Sequence, residues 1–177
     1  MTAPAPAHSP ARAPGASADP SVAFRSHDHD GCSGAVLRRA EALATTKGVR
    51  LTPVRQRTLE ILLRAHRAVG AYEVLEELAR DGFGNQPPVA YRALDFLVEL
   101  GLAHRIRRLN AFTACMHPGR EHQPVFFICR TCDAIAEAQA EPIRSAAETA
   151  ASGLGFVIER MNIEALGLCP ACAGISE

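Results

Sequence analysis

A chain of 177 residues with 47% hydrophobic content has room for one ordinary domain or two small ones. No apolar run approaches the ~18 residues of a membrane span, and the N-terminus lacks the basic start and apolar stretch of a secretory signal. A reducing cytoplasm is therefore the expected setting for the six cysteines, and it favours metal ligation over structural disulfides. The formal net charge of zero hides an asymmetry: residues 1–34 hold two Arg against three Asp (−1), residues 35–113 thirteen Lys and Arg against eight acids (+5), and residues 114–177 four Arg against eight acids (−4).

Residues 1–34 are dominated by Ala, Pro, Ser and Gly and read as a flexible tail. The "HDHDGC" within it offers His27, His29 and Cys32 as a weak metal set or as solvated polar residues. Four helical patterns follow. Ala35 to Lys47 places Val36, Leu37, Ala40, Leu43 and Ala44 on one face and stops at Gly48. "LTPVRQRTLEILLRAH" starts with Thr52 as N-cap and Pro53 at the first helical position, where a missing N–H costs nothing. It then buries Leu59, Leu62 and Leu63. "AYEVLEELAR" is a shorter amphipathic helix. "PPVAYRALDFLVELG" enters through Pro87 and Pro88, buries Leu94, Leu97 and Val98, and ends at Gly101.

Two extended runs come next, "LAHRIRR" and "AFTAC", joined around Leu109 and Asn110 as a hairpin. Helices followed by a hairpin predict a winged helix-turn-helix over residues 35–113. The +5 charge of that segment suits a polyanion, because a recognition helix enters the major groove while Arg and Lys around it neutralise phosphates. Tyr91, Arg92 and Asp95 lie off the buried stripe of the fourth helix, free either to meet DNA or to serve as ordinary surface residues.

Residues 114–177 alternate: "VFFIC" and "AIAEAQA" as strands, "EPIRSAAETAASGL" as helix, and "FVIERMNIEALG" as a strand with a polar interruption. This is a small α/β unit, too small for a large core, so a metal, dimerisation or both are expected to complete it. The whole chain is thus of the α+β class.

"FFICRTCDAIAE" contains Cys129 and Cys132, a C-x-x-C pair that by itself suits either a redox disulfide or a metal. "GLCPAC" supplies a second pair, Cys169 and Cys172. Two such knuckles give four thiolates for one tetrahedral ion, the closed sphere of structural zinc. A thiol oxidoreductase using Cys129 and Cys132 is the enzymatic alternative, and it leaves the second knuckle and the basic segment without a role. His104 in the first extended run, Cys115 at the end of the second, His122 and Glu137 form a second candidate set. Its N/S/N/O donors suit zinc better than iron because of the thiolate. His104 belongs to the wing while His122 and Glu137 belong to the acidic unit, so one ion would tie the two together. The opposing reading makes His104 a surface residue and Cys115 a small core residue. His66 and His117 read as structural, with His117 close enough in sequence to act as a reserve ligand.

The stretches "RLTPVR", "AYEVLEEL", "PPVAYRALDFL", "FFICRTCDAIAE" and "NIEALGLCPAC" resemble the ferric-uptake-regulator family across roughly Ala35 to Cys172. Within it the chain looks most like the zinc-sensing branch, because "HPGREHQPVFFIC" stands where the iron branch has a histidine-rich segment. The resemblance implies a homodimeric, metal-activated repressor of zinc-uptake genes that binds a pseudo-palindromic DNA operator, with an N-terminal winged helix and a dimerisation domain over 114–177. It implies two zinc ions per chain, a regulatory one on His104, Cys115, His122 and Glu137 and a structural one on Cys129, Cys132, Cys169 and Cys172. It also places Tyr72 near the DNA backbone and Tyr91 and Arg92 on the recognition helix, and it implies neither a small-molecule substrate nor a membrane. An iron or peroxide sensor of the same family is the nearest alternative. Val89 and Val54 depart from the Thr and Gln usual at those family positions.

Overall fold

The computed structural model describes residues 23–24, 29–64, 67–119 and 122–175. Helix α1 (His29–Thr46) starts at His29 rather than Ala35, so positions 29–34, expected in the tail, are helical. His27 and the side chains of His29 and Cys32 lie outside the described residues. The helix ends where Gly48 adopts φ +65° and Val49 N–H reaches back to the Ala44 carbonyl at 3.0 Å, an αL stop that a side chain would strain.

Helix α2 (Pro53–Leu63) begins at Pro53, but Thr52, although at the N-cap position, makes no side-chain capping bond. Proline's fixed φ, not a hydroxyl cap, sets this start. Thr58 is buried in the middle of α2 and satisfies its hydroxyl on the Val54 carbonyl at 2.8 Å. Strand β1 (Val69–Gly70) and helix α3 (Ala71–Arg80) follow, and helix α4 (Pro87–Glu99) begins at the expected proline pair. Gly101 (φ +74°) ends α4, with Leu102 N–H bonded to the Leu97 carbonyl at 2.8 Å, and this stop launches the chain straight into strand β2 (Ala103–Ile106).

Leu59 and Leu62 of α2, Val74 and Leu78 of α3, and Leu94 and Leu97 of α4 make the centre of the first core, each at most 1% exposed. Burying one such leucine stabilises by about 1.5–3 kcal/mol, so this cluster fixes the mutual placement of the helices. Strand β3 (Ala111–Ala114) pairs antiparallel with β2, His104 opposite Thr113, and with β1, Val69 opposite Phe112. The three-stranded sheet β1–β3–β2 behind the helices completes a winged helix-turn-helix.

The second sheet has the order β5–β4–β6. Strand β4 (Pro124–Cys129) pairs antiparallel with β5 (Ile135–Gln139). Helix α5 (Glu141–Gly153) then crosses over so that β6 (Ile163–Gly167) lies parallel to β4. The final strand is shorter than expected: Phe156 and Val157 lie outside it, 65% and 80% exposed. Among the described residues no strand pairs with them, so their apolar character alone does not make a strand. Helix α6 (Pro170–Ala173) follows. The two sheets meet along a small apolar seam in which Ala68, Ile106 and Ala111 face Phe126, Ile128 and Ile135. Among the described residues no helix is long and apolar enough to cross a membrane.

Candidate metal centres and nucleic-acid surface

Parallel pairing of β4 with β6 gathers the cysteines. The register sets Cys129 opposite Gly167, and Arg130 N–H binds the Gly167 carbonyl at 2.9 Å, so the turn after β6 comes down beside the turn after β4. In the first turn Asp133 adopts φ +57°, and its N–H returns to the Cys129 carbonyl at 3.0 Å. In the second, Ala173 N–H returns to the Cys169 carbonyl at 2.9 Å. The sulfurs of Cys129, Cys132, Cys169 and Cys172 consequently lie within 4.8 Å of one another, although Cys132 and Cys169 are 37 positions apart. All four are free thiols. Backbone N–H groups of Cys169 and Thr131 hold the Cys129 thiol down to about 6 against the effect of burial. Hydrogen bonds that the Cys172 thiol donates to the Cys169, Cys132 and Cys129 sulfurs push it up to about 12. Four thiols this close can all ionise only around a cation, and a closed S₄ set is the zinc-type donor chemistry.

The second set draws on both sheets. His104 comes from β2, Cys115 directly follows β3, His122 precedes β4, and Glu137 sits in β5 opposite Phe126. Their donor atoms also lie within 4.8 Å of one another. His122 Nε2 is 2.7 Å from Glu137 Oε1 and 3.5 Å from Cys115 Sγ. Met116 N–H donates to Glu137 Oε2 at 3.1 Å. His104 Nε2, 3.7 Å from Glu137 Oε1, is buried and has no hydrogen-bond partner among the described residues.

The electrostatics of this set favour a cation. Burial pushes His104 below its usual value against the pull of Glu137, leaving a neutral imidazole with a free lone pair. Burial and the Glu137 carboxylate push Cys115 up to about 12, against a bond from the His117 backbone N–H. Burial would also raise Glu137, but the bond from His122 and the Met116 N–H outweigh it and hold the carboxyl below its usual value. An ionised carboxylate, a thiol that will not ionise beside it and a partnerless buried nitrogen form an incomplete arrangement. Such a nitrogen costs about 1–3 kcal/mol when unsatisfied. A divalent ion among the four atoms would satisfy the imidazole and lower the thiol's pKa together. The residues present therefore fit zinc.

Tyr72 on α3 is 66% exposed, and Tyr91 and Arg92 on α4 are exposed. All three lie outside the core, as a nucleic-acid surface requires, whereas Leu94 and Leu97 on the other face of α4 hold that helix in place. His117, the reserve ligand of the sequence, has Nδ1 3.6 Å from Glu137 Oε1. Glu164 of β6 accepts the backbone N–H groups of Arg107 and Arg108, in the β2–β3 turn, at 2.8 and 3.0 Å. Sequence separation conceals this contact of Glu164, whereas the two-residue step from Cys115 signals His117.

Residues 46–166 match the family model of the "Ferric uptake regulator family". The zinc uptake regulation protein of Escherichia coli (strain K12) is 36% identical over 141 residues, spanning 79% of this chain and 82% of that protein. A solved zinc uptake regulator complexed with zinc and DNA superposes with a TM-score of 0.75 at 35% identity, covering 81% of this chain and 96% of that one. Holo XcZur superposes with a TM-score of 0.71 at 36% identity, covering 79% and 98%.

Proposed function

Because the chain belongs to the ferric uptake regulator family, we propose that it is a zinc-responsive DNA-binding transcriptional regulator, chiefly a repressor of zinc-uptake genes. It acts in the cytoplasm as a homodimer on a pseudo-palindromic operator, without a small-molecule substrate or a membrane. Residues 35–113 serve as the DNA-binding domain and residues 114–177 as the dimerisation domain. Cys129, Cys132, Cys169 and Cys172 hold a structural zinc, and His104, Cys115, His122 and Glu137 hold a regulatory one. Tyr72, Tyr91 and Arg92 meet DNA.

The observation that carries this reading is the buried Nε2 of His104, partnerless and aimed at donors from the other sheet. When bound, zinc supplies a redox-inert four-coordinate cross-link. His104 is fixed to β3 through the β2–β3 register, so holding its imidazole beside His122 and Glu137 fixes the wing against the second sheet. In a dimer that orientation sets the distance between two α4 helices, which must match half-site spacing on the duplex. By linkage, if zinc binds the DNA-competent orientation more tightly, DNA must raise zinc affinity by the same factor. Cys115 favours zinc over the iron or peroxide sensing of related regulators, since a thiolate is a soft ligand.

The test is a metal count on the purified chain beside an operator titration at buffered zinc, iron and manganese. About two zinc ions per chain are expected, one per four-donor set, with tight DNA binding only in zinc. A metal-free chain with thiol–disulfide exchange activity would support the oxidoreductase instead.

A further inference from the structure

Three imidazoles converge on one oxygen. His122 Nε2, His117 Nδ1 and His104 Nε2 stand 2.7, 3.6 and 3.7 Å from Glu137 Oε1. A closed tetrahedral site that also uses Cys115 and Glu137 has room for only two of them. His117 is the surplus one. Its side chain is as buried as that of His104, each 18% exposed, and its ring centroid is 6.0 Å from that of His122.

The three histidines are carried differently. His104 belongs to β2 and moves with the β2–β3 hairpin, to which it is tied opposite Thr113. His117 and His122 lie on the segment joining β3 to β4. That segment is pinned to β5 by Met116 N–H on Glu137 Oε2 at 3.1 Å. Cys115 sits at the pivot, its own N–H on the Leu102 carbonyl at 2.9 Å and its sulfur accepting from the His117 N–H. A rotation of the hairpin about this point would take His104 away and leave Cys115, His117, His122 and Glu137 together.

We propose that His117 is an alternative zinc ligand that takes the place of His104 when the wing is undocked, so that an ion is captured by Cys115, His117, His122 and Glu137 before the wing closes. This rests on the regulatory-site reading above. Closure is then a ligand exchange: the bond to His117 Nδ1 breaks as one to His104 Nε2 forms. Both imidazoles bind as neutral ligands, so no proton and no net charge moves. The wing need not be closed for the site to hold metal, and what closure adds is one imidazole exchanged for another together with the contacts between the sheets.

The test compares wild type, His104→Ala, His117→Ala and the double variant as full-length protein. Zinc affinity is measured by chelator competition, the cobalt(II) derivative by its thiolate charge-transfer and ligand-field bands, and zinc uptake by stopped flow. The four-cysteine ion and the dimer serve as folding controls. His104→Ala is expected to keep the second ion and the thiolate band, with changed ligand-field bands, and to bind at least about tenfold more tightly than the double variant. His117→Ala is expected to match wild type at equilibrium and to take up zinc more slowly. Equal affinities of His104→Ala and the double variant, or loss of the second ion from His104→Ala alone, would overturn the role of His117. Absence of a second ion from the wild type would overturn the regulatory site as well, which separates the two failures. Should His104→Ala lose its dimer, His104→Asn repeats the comparison.

Discussion

Glu164 and Arg107 are 57 positions apart, yet the Glu164 carboxylate accepts the Arg107 backbone N–H at 2.8 Å. Its other oxygen takes the Arg108 N–H at 3.0 Å, while Asn162, just before β6, donates its side-chain amide to the oxygen that holds Arg107, at 2.8 Å. One carboxylate thereby fastens the tip of the β2–β3 hairpin to β6, on the opposite side of the apolar seam from the mixed donor set.

Replacing Glu164 by Ala is expected to free that tip. Charge-assisted bonds to a half-buried carboxylate contribute about 1 kcal/mol in sum once water competes, so amide exchange at Arg107 and Arg108 should quicken by about fivefold, with zinc content unchanged. The contact is also pH-dependent. Burial would raise the carboxyl, but Asn162 and the two N–H groups outweigh it and hold it below its ordinary 4.5. A depressed folded pKa contributes stability above the unfolded value, and that stability is lost as pH falls through the folded one. Protection of these two amides, relative to their intrinsic exchange rate at each pH, should therefore fall below about pH 4.5 in wild type and show no such step in Glu164→Ala.

Cys129→Ser removes a thiolate from a set that a disordered chain cannot assemble, so zinc bound there is part of folding. Loss of ~3 kcal/mol or more would lower Tm by roughly 6–12 °C. Calorimetry beside a zinc count checks this, and a well-folded dimer with unchanged zinc would remove the four cysteines from the structural role.

In Cys115→Ser a hydroxyl replaces the softest donor of the mixed set, while the four cysteines are untouched. The variant should keep the zinc of the four-cysteine set, keep its dimer on size exclusion, and lose most zinc-dependent operator affinity in an anisotropy titration. A wild-type zinc response from this variant would sink the wing-fixing mechanism.

Arg92→Ala should weaken specific operator binding by about 1–3 kcal/mol while both metal counts stay the same. Arg92 is exposed on α4 and plays no part in the core, so thermal stability should not change. Unaltered affinity across a salt series would place Arg92 outside the interface.

The helices were legible because their signals are local. Pro53, Pro87 and Gly101 mark boundaries through fixed or positive φ, and the leucine spacing of α4 marks its buried face. Strand β1 was illegible for the converse reason: Val69 and Gly70 are a strand only because Phe112 and Ala111 lie opposite them. The early start of α1 was hidden by polar residues and glycines with little helical preference. At the candidate site, residue type and spacing pointed to all eight donor residues that the structure brings into two groups. The parallel β4–β6 register that joins the knuckles and the grip of Glu164 depend on long-range packing, which no local pattern encodes.

The parallel pairing of β4 with β6 also has a consequence for synthesis. Chains emerge N-terminal end first, at roughly 5–20 residues per second. Cys129 and Cys132 therefore leave the ribosome well before Cys169 and Cys172, the last pair of the cluster. During that interval two thiols wait without half of their partners, in the state most open to oxidation and alkylation. Nascent chains stalled before Cys169 are expected to label with iodoacetamide at both positions and completed zinc-loaded chains at neither; equal labelling of the two would mean that assembly of the cluster does not shield them. Supply of zinc to a newly made chain would then decide whether it matures or is damaged before it can respond to anything.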